Sequence, residues 1–270
     1  MSAAIAVTIA GSDSGGGAGI QADIKTMSAN GVYAASVIAA LTAQNTLGVT
    51  AIHDVPADFV TAQIDAVFSD LRVDAVKIGM LSQPETIRAV AAGLRRWSPP
   101  FVVLDPVMVA ASGARLIADE ALAVLVAELF PLSTLVTPNL LEAARLTGLP
   151  PAADEAAMRV QARAIMEMGA GAVLIKGGHG EGEKSRDLLW DAAGEHWFEA
   201  ARIDTRNTHG TGCSLSSAIA ANLALGLPLA GAVDKAKIWL TGAIAAADTL
   251  DIGAGHGPVH HFHEWWSRQS

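Results

Sequence analysis

Short apolar runs alternate along this chain with longer stretches whose apolar residues recur every three or four positions. Ile5–Ala10, Ser36–Leu41, Ala75–Ile78, Phe101–Leu104, Thr134–Val136 and Ala172–Ile175 read as buried strands. They are short, flanked by turn residues and mostly rich in Val and Ile, which favours strand over helix. Between them, Ile20–Ala29, Asp58–Asp70, Glu85–Arg95, Glu120–Leu129, Leu140–Thr147 and Asp154–Met168 carry helical spacing. Two more helices are predicted at Gly212–Leu225 and Leu229–Leu250. A strand–helix–strand rhythm predicts a mostly parallel sheet covered by helices, with right-handed crossovers. Asp187–Ile203 breaks the rhythm: strand-like pieces around Gly194 predict a hairpin or edge insertion. There is no internal repeat, and Pro99–Pro100 and Pro150–Pro151 punctuate loops rather than linkers. One α/β domain over residues 1–270 is expected.

Composition sharpens this picture. The 270 residues are 51% hydrophobic and 17% charged, enough to bury a large core without staples, and unlike a disordered chain. Such apolarity raises the membrane alternative. No uninterrupted run reaches the roughly 18 strongly apolar residues a spanning helix needs. The apolar start, Ala3–Ala10, is short and lacks a basic flank, so a soluble protein is expected. A net charge of −9 argues against general nucleic-acid binding. The single cysteine, Cys213, excludes an internal disulfide and a multi-cysteine zinc site, and fits the reducing cytoplasm.

The 26 glycines are in excess and clustered. GSDSGGGAG, Gly11–Gly19, joins the first strand to the first helix. Its backbone can approach a ligand, and helix-terminal amides can receive an anion, or the segment is a purely structural turn. It lacks the Gly-Lys-Ser/Thr of a Walker A loop. Asp23, in the following helix, is either a solvated or capping acid or a recognition group for an amino or hydroxyl function. THGTGC, Thr208–Cys213, precedes another helix. Its amides suit developing phosphate charge, and the helix terminus can lower the Cys213 thiol pKa. The bland alternative is a glycine turn with a small buried cysteine. His209 can orient this loop or serve as a structural histidine. Asp105 and Lys176 stand at strand ends, suited to magnesium-bound water and to phosphate, or simply to turns. Asn139 and Glu142 form an i,i+3 pair, either oxygen ligands or a cap with a surface acid. His260, His261 and His263 are expected to pack the C-terminal segment with Trp265 and Trp266 rather than to bind a transition metal.

Taken together, GSDSGGGAGIQADIKT, LTAQNT, DAVKIGML, LDPVMVA, TPNLLEA, LIKGGHG and NTHGTGCSLSSAIAANLALG resemble the hydroxymethylpyrimidine/phosphomethylpyrimidine kinase (ThiD) family of the ribokinase-like superfamily. The resemblance runs from Gly11 to Gly226 and continues in GHGPVHHF. It implies a ribokinase-like three-layer α/β fold with a central, mostly parallel sheet. It also implies ATP, Mg²⁺ and two successive phosphorylations, of 4-amino-5-hydroxymethyl-2-methylpyrimidine and then of its monophosphate, in thiamine biosynthesis. Similarity assigns the pyrimidine pocket to Gly11, Asp23, Gln44, Met80 and Val107. It places Lys176, Asn139 and Thr211 at ATP, and Asp105 and Glu142 at the metal. It makes Gly210, Thr211, Gly212 and Cys213 the anion hole and catalytic corner, with Lys176 beside them. Many superfamily members carry an aspartate base where Cys213 stands, so Cys213-assisted deprotonation without a phosphocysteine is expected. A homodimer is implied. Alternatives are a pyridoxal kinase of the same superfamily and a non-catalytic ligand-binding protein. Whether residues 181–187 close over ATP stays open.

Overall fold

The computed structural model describes residues 3–108, 116–178 and 183–266. Among the described residues, nine strands join one sheet in the order β3-β2-β1-β4-β5-β6-β7-β8-β9. The central six, β2 (Tyr33–Asn45), β1 (Ile5–Gly11), β4 (Ala75–Ile78), β5 (Val102–Leu104), β6 (Leu135–Val136) and β7 (Val173–Ile175), are parallel. The flanking strands β3 (Gly48–Asp54), β8 (Lys184–Asp191) and β9 (Gly194–Ala201) are antiparallel.

Alternation along the strands sends side chains into two apolar layers. Val7, Ile9, Val102, Leu104, Val173 and Ile175 pack under α2 (Ala57–Phe68), α3 (Pro84–Trp97), α4 (Asp119–Leu129), α5 (Leu140–Thr147) and α6 (Glu155–Glu167). Ala6, Val103 and Leu174 face the opposite layer, made by α1 (Gly19–Ala29), α7 (Thr211–Ala224) and α8 (Leu229–Ala245). This is the helix-covered sheet that the rhythm predicts, in the three layers that the resemblance implies.

Three expectations change. The Ser36–Leu41 strand extends over Tyr33–Asn45 and turns back as β3, an element missing from the sequence reading. Residues of β3 are mostly exposed, so no buried apolar run marks them. The helix predicted over Leu229–Leu250 ends at Ala245, followed by a 3-10 turn at Ala247–Thr249. There the C-terminal segment crosses α8, with the His260 N–H donating to the Ala243 carbonyl. The predicted hairpin around Gly194 is present as β8–β9. His260 and His263 pack against Trp266 and Trp239.

Candidate active site

The glycine loop after β1 is organised by Asp13, a buried acid that sequence reasoning passed over. Its Oδ1 accepts from the Gly15 N–H at 2.8 Å, and its Oδ2 from the Ala18 and Gly17 N–H groups at 2.8 and 3.1 Å. The same oxygen lies 2.8 Å from His209 Nε2. Burial pushes the Asp13 carboxyl up, but His209 and the amides outweigh it and hold the group below its ordinary value. These three amides are therefore occupied within the loop, as in the structural-turn alternative. His209 carries the Thr208–Cys213 segment to the loop, which is the orienting role considered for it.

Gln44, at the end of β2, lies with its side-chain amide 3.5 Å from the same His209 Nε2. That nitrogen faces an ionised carboxylate, so it carries the proton and donates. It cannot also accept from an amide N–H. The Gln44 amide is thus read with its oxygen toward His209, and its nitrogen toward the Thr42 hydroxyl, whose own proton goes to the Ser12 carbonyl at 2.9 Å. Gly11 closes this end against Met80: a Cβ at Gly11 would lie 2.6 Å from Met80 Cε. Gly11 and Met80 thus meet at the end of β1, while Gln44 joins the glycine loop through Thr42 and His209. Val107 belongs to the turn after β5, half-buried, with its N–H donating to the Asp105 carbonyl.

Asp23 corrects the sequence reading. It is fully buried on α1, facing β4 and α7 rather than an open pocket. Both carboxylate oxygens accept from Lys77 Nζ at 2.8 Å. The Thr8 and Ser217 hydroxyls donate to it at 2.6 and 2.7 Å. Three donor groups making four contacts fill the acceptor sites of this carboxylate, which leaves no capacity to recognise a substrate amino group. Lys77 was missed outright. The visible signal was a charge inside the four-residue apolar strand β4; its partner lies 54 positions earlier.

A second cluster is built at the termini of β5, β7 and α7. Asp105 is buried just past β5, and its Oδ1 accepts from Lys176 Nζ at 2.8 Å and Thr137 Oγ1 at 3.2 Å. Lys176 Nζ is also 3.9 Å from Glu142 Oε2. Asn139 and Glu142 make a reciprocal cap for α5. Asn139 Oδ1 accepts from the Leu141 and Glu142 amides, and the Asn139 N–H donates to Glu142 Oε2 at 2.7 Å. The cap reading of this pair is therefore realised, yet it also turns Glu142 toward Lys176. Burial pushes the Glu142 carboxyl up to about 7, with Asp105 adding to the rise and Lys176 opposing it. Burial also works against the Lys176 charge, but Asp105 and Glu142 prevail and raise its pKa.

Gly210 begins α7 at φ 79°, and a Cβ there would lie 1.9 Å from the Gly17 carbonyl oxygen, so both the turn and its contact with the glycine loop require glycine. The Thr211 amide donates to Thr208, as does its hydroxyl, and the Ser214 amide donates to Gly210. That leaves the Gly212 and Cys213 amides as the terminal donors of this turn. A Cβ on Gly212 would lie 3.3 Å from Lys176 Nζ and 3.6 Å from Asp105 Oδ2, so bare backbone meets the ion pair here. Cys213 departs from expectation. Burial pushes its thiol up to about 11, reinforced by Asp23 and Asp105 and opposed by Lys77 and by a backbone hydrogen bond at Gly19. Desolvation outweighs the helix terminus.

Asp105 and Glu142 present hard oxygen donors around a single ammonium, one positive charge short of balance when both are ionised. That chemistry fits Mg²⁺, which commonly takes one or two carboxylates and completes its shell with water and phosphate. Among the described residues no group of three or more His, Cys, Asp or Glu side chains could hold a metal unaided. Of the segment 181–187, whose closure over ATP the sequence leaves open, residues 181 and 182 lie outside the described residues.

The family model described as phosphomethylpyrimidine kinase matches residues 13–260. The hydroxymethylpyrimidine/phosphomethylpyrimidine kinase of Rhizobium meliloti (strain 1021) is 63% identical over 263 residues, covering 97% of this chain and 98% of that protein. Two solved structures set the scale of the fold. An ADP complex of Bacillus subtilis pyridoxal kinase superposes with a TM-score of 0.90 at 34% identity, covering 98% of this chain and 100% of that one. The phosphomethylpyrimidine kinase of Clostridium difficile 630 gives 0.79 at 43% identity, covering 89% and 99%. The three-layer architecture is thus the ribokinase-like one, and the chain belongs to the phosphomethylpyrimidine kinase family.

Proposed function

We propose that this protein phosphorylates the hydroxymethyl group of 4-amino-5-hydroxymethyl-2-methylpyrimidine with ATP, and then phosphorylates the resulting monophosphate to the diphosphate used in thiamine biosynthesis. Membership of a kinase family implies Mg-ATP as the phosphoryl donor. The observation that carries the reading is the meeting of the α7 terminus with the Lys176–Asp105 pair at Gly212. Phosphoryl transfer asks mainly for alignment and for stabilisation of charge on the transferring oxygens. Terminal amides and an ammonium converging on one spot supply that stabilisation.

In this reading Gly11, Gln44, Met80 and Val107 hold the ring, and a Gln44 carbonyl suits an exocyclic amino group. Lys176 keeps one N–H on Asp105 and turns another toward phosphate, since an ammonium has three donors. Asn139 and Thr211 border the ATP phosphates. Asp105 and Glu142 would hold Mg²⁺, which, when bound, neutralises phosphate charge. Cys213 lines the acceptor hydroxyl's position; its resting thiol is protonated at neutral pH, so it must first give up its own proton, and only the small thiolate fraction then takes the hydroxyl proton as the new P–O bond forms. Asp23 acts beneath the site through Lys77, Thr8 and Ser217. A cytoplasmic homodimer acting on small molecules rather than nucleic acid completes the proposal, and sedimentation of the purified protein tests its dimeric state. Among the described residues, no helix is long and apolar enough to cross a membrane.

A second reading is favoured by one observation, the TM-score of 0.90 with a pyridoxal kinase. Pyridoxal also offers a ring and a hydroxymethyl acceptor. Product analysis by phosphorus NMR with ATP, Mg²⁺ and each acceptor separates the two. Monophosphate followed by diphosphate from the pyrimidine supports the first reading. Phosphorylation of pyridoxal alone supports the second, and ligand binding without ATP turnover would sink both.

A further inference from the structure

The backbone just after Lys176 is two glycines, Gly177 and Gly178, a sequence that by itself leaves the direction of the lysine unspecified. The structure nonetheless holds this turn from three sides. The Gly177 N–H donates to Asp187 Oδ1 at 2.8 Å. Arg202 donates to the Gly177 carbonyl at 3.1 Å and to the Gly178 carbonyl at 2.5 Å. The Arg186 carbonyl lies where a Gly177 Cβ would be only 1.9 Å away, so β8 runs directly against the turn.

Asp187 is itself fixed. Its other oxygen, Oδ2, accepts from Lys237 Nζ at 2.5 Å, and both residues are buried. Lys237 sits on α8, the helix packed along α7, and α7 begins at the amides that meet Lys176. One ion pair therefore ties the lysine-bearing turn to the helix pair that presents the anion hole. A buried ion pair is a poor device for stability alone, because an apolar pair of similar volume is often neutral or better. A positional role accounts for keeping both charges: Lys237 fixes the carboxylate plane, and the carboxylate fixes the Gly177 amide.

We propose that Asp187 and Lys237 are positioning residues for the phosphate end of the site: they lock the Gly177–Gly178 turn and so aim Lys176 at the phosphates of ATP. This rests on the kinase reading above, and it concerns the donor rather than the ring pocket at Gly11 and Gln44. Displacements near 1 Å at a reacting centre cost up to about a hundredfold in rate.

The test uses the full chain and two readouts: steady-state kinetics with both substrates varied, and calorimetric binding of a non-hydrolysable ATP analogue with Mg²⁺. Lys237→Met is expected to raise the ATP KM and the analogue Kd roughly tenfold or more, with the pyrimidine KM within about twofold of wild type. Lys237→Arg, which keeps the charge, is expected to recover most of the loss. Should Lys237→Met misfold, the double variant Asp187→Leu with Lys237→Met removes both charges together. It should fold, because no charge is left unpaired, and still bind the analogue weakly. Equal analogue binding by wild type and the folded double variant would overturn the proposal while leaving the kinase reading intact. So would parallel rises of both KM values, which indicate general loosening. A wild-type protein that binds no nucleotide would overturn the kinase reading and this proposal with it.

Discussion

The Lys77–Asp23 and Lys176–Asp105 pairs are made of the same two residue types, each with Nζ 2.8 Å from a carboxylate oxygen, and both act electrostatically on Cys213. They differ in what surrounds them. Lys77 and Asp23 are 0% exposed, and the Asp23 oxygens are filled by Lys77, Thr8 and Ser217. Lys176 keeps 12% side-chain exposure, shares two carboxylates, and faces a glycine backbone. The first pair is sealed from solvent with its carboxylate filled, and serves as scaffold. The second has donors to spare and an opening, and so can do chemistry. Residue identity does not separate the two; saturation and access do.

The largest effect should come from opening the closed pair. Lys77→Met leaves the Asp23 carboxylate buried without its cation, and is expected to cost about 3–5 kcal/mol of stability. Urea unfolding measures it; an unchanged midpoint would remove the scaffold role. Next, Lys176→Ala should lower kcat about 10²–10³-fold, with a larger loss on the monophosphate acceptor, whose charge repels ATP. Its urea midpoint should fall less than that of Lys77→Met, because Lys176 keeps some exposure where Lys77 has none. If either variant behaved like the other, the distinction between the pairs would collapse.

A smaller effect tests the thiol between them. With its pKa pushed up to about 11, Cys213 should alkylate slowly with iodoacetamide at neutral pH. The rate should keep climbing with pH without a plateau below about pH 10, as mass spectrometry would follow. A plateau near pH 7 would mean that Lys77 governs the thiol more strongly than burial does. Cys213→Ser, assayed at saturating substrates, should lower kcat roughly 10²-fold if the thiol takes the acceptor proton. The smallest change is at the ring end. Gly11→Ala sets a methyl 2.6 Å from Met80 Cε, a flexible tip that can move. The pyrimidine KM should rise severalfold and the ATP KM stay unchanged; a shift in both would join two ends that the geometry keeps apart.

Much of the fold was legible because burial writes itself into short apolar runs and helical periodicity. The parallel strands β1, β4, β5 and β7 and the β8–β9 hairpin stood out for that reason. Strand β3 did not, since an exposed edge needs no apolar code. At the site, Lys176, Asp105, Glu142 and Gly212 were legible as strand-end and helix-start residues, and the structure brings them together. Asp13 was hidden among glycines, and Lys77 and Lys237 were hidden because their partners lie 54 and 50 positions away. Asp23 was visible but misplaced: its sequence position is compatible with pocket or core, and only the packing of α1 against β4 and α7 puts it inside.

By itself the sequence determined the layered α/β plan, the glycine-lined strand ends and the family resemblance. These depend on local periodicity, on steric freedom and on motifs contiguous in the chain. Tertiary structure decided which acids are saturated, which lysine faces the opening, and the direction of the Cys213 shift. Those properties depend on desolvation and on charges brought together from distant segments. Neither quantity is encoded at any one position.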